Sequence, residues 1–155
     1  MLDVLMYLFE NYAHDAAEEP TAPAQLQDEL QRAGFTEKQI SRAFNWLEGL
    51  SELKGGRLLD QGRVTQPFRI YSRVEAAMID IEGQGLLLYL EQIGVLNCEA
   101  REAVIDRVMA LESDDFDEEQ LKWVVLMVLF NQPGAESSYA WMEDFVYDGA
   151  PESIH

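Results

Sequence analysis

Cysteine and histidine, the residues from which disulfides and zinc sites are built, are scarce in this sequence. It contains one cysteine, Cys98, and two histidines, His14 and His155. An intrachain disulfide and a zinc site are therefore excluded, and a lone cysteine suits a reducing cytoplasm. We expect no metal and no cofactor, and we interpret Cys98 as a structural side chain.

Long apolar runs are also absent. The longest, from Trp123 to Phe130, is far shorter than the roughly 20 apolar residues that span a bilayer. The apolar N-terminus carries Asp3 where a secretory signal has basic residues, and it lacks a small-residue cleavage pattern. The sequence therefore predicts no membrane span, no signal peptide and a cytoplasmic location.

Basic residues are few, and their distribution is uneven. The chain has 11 Lys and Arg against 29 Asp and Glu, for a net charge of −18. Such a body repels phosphates, so nucleic acid is possible but disfavoured, and a protein with a basic surface is the expected partner. Residues 54–73 are the exception, because five basic residues against Asp60 give this segment a charge of +4. The segment is either an exposed hairpin paired with neighbouring acids or a contact for phosphate or an acidic protein.

Apolar periodicity predicts a mainly α fold with two modules. Over residues 1–73 three helices, the second ending at Gly34 and the third capped by Thr36, precede two short strands at 57–59 and 68–71. Three helices followed by a small β-hairpin is the order of a winged-helix-like module. An all-helical module is predicted over residues 74–155.

Within the second module the helix boundaries are marked by polar residues and glycines. Ser72 to Glu75 fits a capping box, Gly83 and Gly85 interrupt before the next helix, and another helix opens at Asn97. A last amphipathic helix is predicted from Ser137 to Tyr147.

No pattern indicates catalysis. In the acidic stretch at 112–119, an EF-hand loop starting at Asp115 would need glycine and glutamate where Gln120 and Leu126 stand. The Gly83-Gln-Gly85 segment has neither the third glycine of a dinucleotide-binding loop nor the lysine of a P-loop, and we expect it to allow close helix packing or a kink. Carboxylates are too common here to mark an acid–base pair. We expect that the protein is not an enzyme.

Two surfaces are candidates for binding. The helix pair around Gly34 has the spacing of a helix-turn-helix, of a ubiquitin-associated-type bundle, or of a plain scaffold. The possible contacts with nucleic acid or an acidic partner are Lys38, Arg42 and Asn45 on the second helix and Arg57, Arg63 and Arg69 in the hairpin. The possible protein or dimer interface is the last helix, with Tyr139, Trp141, Met142, Phe145 and Tyr147.

Several stretches of the chain resemble the Smg family of short bacterial proteins. The matching stretches are DVLMYLFENY, AGF with WLEGL, FRIYS, LLLYLEQIGVLN, REAVIDRVMALES and QLKWVVLMVLFNQPG. The resemblance covers nearly the whole chain and implies a bacterial cytoplasmic protein with no assigned activity. It also implies gene neighbours in DNA processing and translation, and it supplies no catalytic residues.

Three functional hypotheses follow. The first is a non-enzymatic adaptor or regulator that binds another protein, in a pathway linked to DNA processing or translation. The second is a nucleic-acid accessory protein that uses a helix-turn-helix and wing, with an acidic mimic of DNA that occupies the groove of a DNA-binding protein as its variant. The third is an enzyme with an unfamiliar site.

Overall fold

A computed structural model describes residues 2–12, 23–53, 70–113 and 115–148, and every regular element in these ranges is an α-helix. The helices are α1 (Leu2–Tyr12), α2 (Pro23–Arg32), α3 (Glu37–Leu53), α4 (Arg73–Met78), α5 (Ile81–Gln92), α6 (Cys98–Leu111), α7 (Glu118–Asn131) and α8 (Glu136–Asp148). The chain divides into two compact units, residues 1–49 and 50–155. The predicted division into 1–73 and 74–155 stays a prediction.

The first unit is held by apolar side chains spaced along α1, α2 and α3. The buried side chains are Val4, Leu5, Leu8, Phe9, Leu30, Ile40, Ala43 and Trp46. The predicted left-handed turn at Gly34 is confirmed, with φ of 101°. The Gly34 and Phe35 amides donate to the carbonyls of Gln31 and Leu30 at 3.1 Å, so α2 ends in a Schellman motif. The turn sets the ring of Phe35 edge-on to Tyr7, with centroids 5.7 Å apart.

The predicted winged-helix-like module is wrong. Of the second predicted strand, Ile70 and Tyr71 are described, and they lie in neither a strand nor a helix. The first predicted strand, residues 57–59, lies outside the described residues. A wing strand places alternate side chains against a neighbour, whereas Ile70 is 86% exposed and Ser72 is already the N-cap of α4. Every regular element in the described part of the chain is an α-helix.

The second unit is built around α7. Seven apolar side chains of this helix are buried, namely Leu121, Val124, Val125, Leu126, Met127, Val128 and Leu129. The helices α5, α6 and α8 all pack against α7, and α4 packs against α6. Although α7 is strongly apolar, none of the helices in the described ranges combines the length and hydropathy needed to cross a bilayer.

Side-chain caps fix where the helices of the second unit begin. Ser72 and Glu75 form the predicted capping box, with bonds of 2.9 and 3.2 Å. The Asn97 side chain accepts from the Ala100 amide at 2.7 Å, which confirms the predicted start of α6. Asp117 forms a further capping box at the start of α7, so this member of the acidic stretch caps a helix.

The predicted interruption at Gly83 and Gly85 is wrong, because α5 runs through both residues. At Gly83 the reason for glycine is packing. A Cβ there would lie 2.9 Å from Ile79 Cγ2 and 3.2 Å from Leu121 Cδ2, whereas a Cβ on Gly85 would meet nothing within 4 Å. Gly83 therefore allows the close approach of α5 to α7.

These two glycines give a matched pair for a stability test. We expect Gly85→Ala to stabilise the protein by about 0.5–1 kcal/mol, because alanine is the better helix former. We expect Gly83→Ala to destabilise it by about 1 kcal/mol. The cost of overpacking, about 1–3 kcal/mol, exceeds the gain from the higher helix propensity of alanine. Urea unfolding of both variants is the measurement. Equal stabilisation by the two substitutions contradicts the packing role of Gly83.

Candidate protein-binding surface

Three of the six predicted nucleic-acid contacts lie within the described residues. Lys38, Arg42 and Asn45 are exposed and share one face of α3, as their spacing requires. Glu52, seven residues after Asn45, is exposed on the same face. Arg57, Arg63 and Arg69 lie outside the described residues. The α3 face is therefore of mixed charge, and its role as a contact surface stays a prediction.

The predicted interface on α8 divides into core and surface residues. Met142 is fully buried and Phe145 is 7% exposed, so both belong to the packing against α7. The Trp141 ring stacks on Phe145 at 5.2 Å and is half-buried. Tyr139 is half-buried and Tyr147 is exposed. These two tyrosines lie eight residues apart, on the same flank of α8.

Four aromatic rings line that flank of the α7–α8 pair, and we name them the aromatic ridge: Trp123, Phe130, Tyr139 and Tyr147. Trp123 meets Tyr147 edge-on, with centroids 5.8 Å apart. Phe130 meets Tyr139 at 5.5 Å. The start of α7 thus faces the end of α8, so the two helices run antiparallel. The ridge therefore consists of two ring pairs, with Trp123 and Tyr147 at one end of the helix hairpin and Phe130 and Tyr139 at the other.

The ridge is open to solvent at two of its members. Phe130 is 47% exposed and Tyr147 is 53% exposed, while Trp123 and Tyr139 are half-buried. Neither Phe130 nor Trp123 was among the interface residues predicted from the sequence. The signal that could have found Phe130 is its spacing, because it follows Trp123 by seven residues and therefore shares its helix face.

A carboxylate lies between the two tyrosines of the ridge. Glu143 is four residues from both Tyr139 and Tyr147, so all three side chains project from one face of α8. The Tyr139 hydroxyl donates to Glu143 Oε2 at 2.8 Å. Burial of the phenol raises the pKa of Tyr139, and the bond to Glu143 and the charge of that carboxylate raise it further. Tyr139 is therefore neutral and Glu143 is held in place.

Further acids flank the ridge, and Lys122 of α7 forms ion pairs with acids. Glu136, three residues before Tyr139, and Glu119, four residues before Trp123, are both exposed. Lys122 is buried, with Nζ 2.9 Å from Glu119, 3.8 Å from Glu118 and 5.0 Å from the centre of the Phe145 ring. The charge of Lys122 is thus offset by acids of its own helix.

A second buried polar side chain of the described residues, Arg101, pairs with neighbouring acids. Arg101 is 6% exposed and its guanidinium bonds Glu91 at 2.7 Å and Glu102 at 3.2 Å. Burial works to lower the pKa of Arg101, but the bond to Glu91 and the adjacent negative charges raise it. Cys98 is half-buried, with Sγ 3.8 Å from Glu91 Oε1. In the described ranges no three His, Cys, Asp or Glu side chains are arranged to hold a metal ion.

Comparison with known proteins gives the family of the chain. A family model described as "Protein of unknown function (DUF494)" matches residues 1–155. A "Protein Smg homolog" of Nitrosococcus oceani is 48% identical over 155 residues, which cover all of this chain and 98% of the relative. The chain belongs to the Smg family.

Other Smg relatives match over their full length as well. A "Protein Smg homolog" of Shewanella piezotolerans is 49% identical over 156 residues and 99% of its length. "Protein Smg" of Sodalis glossinidius is 48% identical over 157 residues and 100% of its length. No solved structure gives a significant match. The resemblance seen in the sequence is therefore confirmed.

The raised pKa of Tyr139 gives a prediction about alkaline stability. An unfolded tyrosine ionises near pH 10, whereas folded Tyr139 holds its proton to higher pH. The stability that Tyr139 contributes is therefore present below about pH 10 and is lost as the pH rises further. We expect Tyr139→Phe to make this alkaline loss of stability shallower.

Urea unfolding at a series of pH values from neutral to alkaline measures this slope. Glu143→Gln should reduce the slope too, because it removes the negative charge beside the phenol. A Tyr139→Phe protein that loses stability as steeply as the original chain contradicts the assignment.

Proposed function

We propose that this Smg-family protein is a non-enzymatic adaptor or regulator, and that it binds a protein with a basic surface through the aromatic ridge. The observation that carries the proposal is the exposure of Phe130 and Tyr147 beside the carboxylates of Glu136 and Glu143. Aromatic side chains are the commonest energetic centres of protein interfaces.

The construction of the ridge supports a binding role. Each exposed ring packs against a half-buried one, Phe130 against Tyr139 and Tyr147 against Trp123. The rings are thus held in place before a partner arrives, and less side-chain entropy is lost on binding. A cationic partner gains from the faces of the rings and from the carboxylates between them.

Charge favours a protein partner over nucleic acid. Bases can stack on exposed aromatic rings, but their phosphates would then meet Glu136 and Glu143. A chain of net charge −18 repels a polyanion within roughly 8 Å of its surface at physiological salt. The exposed cations of α3, Lys38 and Arg42, share their face with Glu52.

Direct binding of defined probes tests the proposal. A labelled basic peptide, a single-stranded DNA and a duplex of about 20 base pairs are titrated with the full chain at about 150 mM salt. We expect the peptide to bind and the two oligonucleotides to give no saturable signal. The double variant Phe130→Ser with Tyr147→Ser should weaken binding of the peptide by about tenfold, because it removes central aromatic contacts.

The matched control removes exposed apolar side chains elsewhere. Val74 and Ile81 are 67% and 83% exposed, and they lie on α4 and α5 rather than on the ridge. Val74→Ser with Ile81→Ser should leave the peptide affinity unchanged. The proposal is overturned if DNA binds more tightly than the peptide, or if the two double variants weaken binding of the peptide equally.

A further inference from the structure

We propose that α5 is a self-association surface, on which a second copy of this chain packs its own α5 in the antiparallel direction. The observation behind it is an exposed stripe made of Ile81, Gly85 and Leu88. These residues follow one another at intervals of four and three, so they share one face of the helix. Ile81 is 83% exposed and Leu88 is 40% exposed. The stripe lies on a different helix from the aromatic ridge, and the inference does not depend on the proposed function.

The packing of the described residues does not account for glycine at position 85. Gly85 lies inside α5 without a positive φ, and it is exposed. A Cβ added to it would meet no atom of the described residues within 4 Å. Alanine would therefore fit there without strain, and it is the better helix former. What glycine does allow at an exposed position is the close approach of another backbone from outside.

The stripe is complementary to itself. Ile81 and Leu88 lie on opposite sides of Gly85, about 10 Å apart along the helix axis. A twofold axis close to Gly85 sets Ile81 of one copy against Leu88 of the other, and symmetry forms the reverse pair. The two glycines then lie at the centre, where the helices are closest. A single helix face thus supplies both halves of the contact.

The distribution of charge along α5 favours the antiparallel direction. The exposed acids Asp80 and Glu82 both lie at the N-terminal end of the helix, and α5 contains no basic residue. At the C-terminal end Gln92 is exposed and uncharged, and Glu91 is half-buried and bonded to Arg101 at 2.7 Å. An antiparallel pair sets the acids of each copy beside the uncharged end of the other, and it also opposes the two helix dipoles. A parallel pair would bring four carboxylates together.

The size and charge of the surface predict a weak dimer. A stable dimer buries roughly 800 Å² on each partner, and two apolar side chains on one helix supply only part of this area. Each copy also has a net charge of −18, so the two copies repel each other through solvent. Salt screens this repulsion and leaves the apolar contact intact. The dimer should therefore become tighter as salt is added, whereas the complex with a basic partner would become weaker.

Sedimentation equilibrium of the full chain tests the proposal. Samples at about 10 µM to about 1 mM protein are compared at about 50 mM and about 500 mM salt. We expect a monomer–dimer equilibrium with a Kd of about 0.1–1 mM. The dimer should be about threefold tighter at the higher salt concentration. Amide shifts that depend on protein concentration map the contact, and we expect the largest changes at residues 81–88.

Two variants on α5 and one control locate the contact. Gly85→Ala should stabilise the monomer yet weaken the dimer by about fivefold, because the added methyl groups separate the two helices. Its effect on the dimer therefore cannot arise from unfolding. Ile81→Ser should weaken the dimer by about tenfold, because it removes apolar area that the contact buries. Val74→Ser removes another exposed apolar side chain, on α4, and should change the Kd by no more than about twofold.

Each outcome supports or overturns the inference. A chain that stays monomeric at about 1 mM protein and high salt overturns it, and so does a dimer that Gly85→Ala leaves unchanged. If Phe130→Ser with Tyr147→Ser abolishes the dimer and Gly85→Ala does not, the copies meet through the aromatic ridge instead. Dimerisation that weakens as salt is added contradicts an apolar contact. If a basic peptide, rather than a second copy, shifts the amides of residues 81–88, α5 binds a cationic partner and the inference is wrong.

Discussion

Burial of α7 is the constraint on which the second unit depends. Its seven buried apolar side chains are worth roughly 10–20 kcal/mol of gross transfer free energy, at about 1.5–3 kcal/mol each, and this value is an upper bound. A helix that is apolar on nearly every side must be covered over most of its surface. The packing of α5, α6 and α8 against it meets this requirement. The close approach of α5 at Gly83 and the burial of Met142 and Phe145 on α8 are consequences of the same demand.

The ridge follows from how α8 covers α7. A single helix covers a stripe of its neighbour, and the residues at the edge of that stripe are covered only in part. Trp123 and Phe130 lie at this edge, seven residues apart on α7, and they are shielded by the rings of Tyr147 and Tyr139. Large flat side chains suit such positions because one ring face packs while the other meets solvent. The same geometry that completes the core thus leaves a row of half-exposed rings at the surface.

Much of the local structure could be predicted from the sequence, because caps and turns are decided by neighbouring residues. Ser72, Asn97 and Gly34 behave as their types and spacing indicate. The predicted strand at 68–71 is wrong at its described residues, Ile70 and Tyr71. Alternation over four residues is a weak signal, and a strand also needs a partner for its backbone hydrogen bonds. The ridge could not be predicted in full, because aromatics surround α8 and only tertiary packing decides which flank faces α7. Packing places Phe145 inside and Tyr147 outside.

In the proposed function, electrostatics decides which class of molecule binds at the ridge. Exposed rings alone would accept a nucleobase, an apolar side chain or a cation, and their carboxylate neighbours favour the cation. Lys122 does not reverse this preference, because its charge is paired with Glu118 and Glu119 and its Nζ lies over Phe145. Long-range repulsion from a net charge of −18 and short-range attraction at Glu143 thus have the same effect. Under the proposed function, both effects disfavour polyanions and favour a positively charged protein surface, which gains the ring contacts once the acids have attracted it.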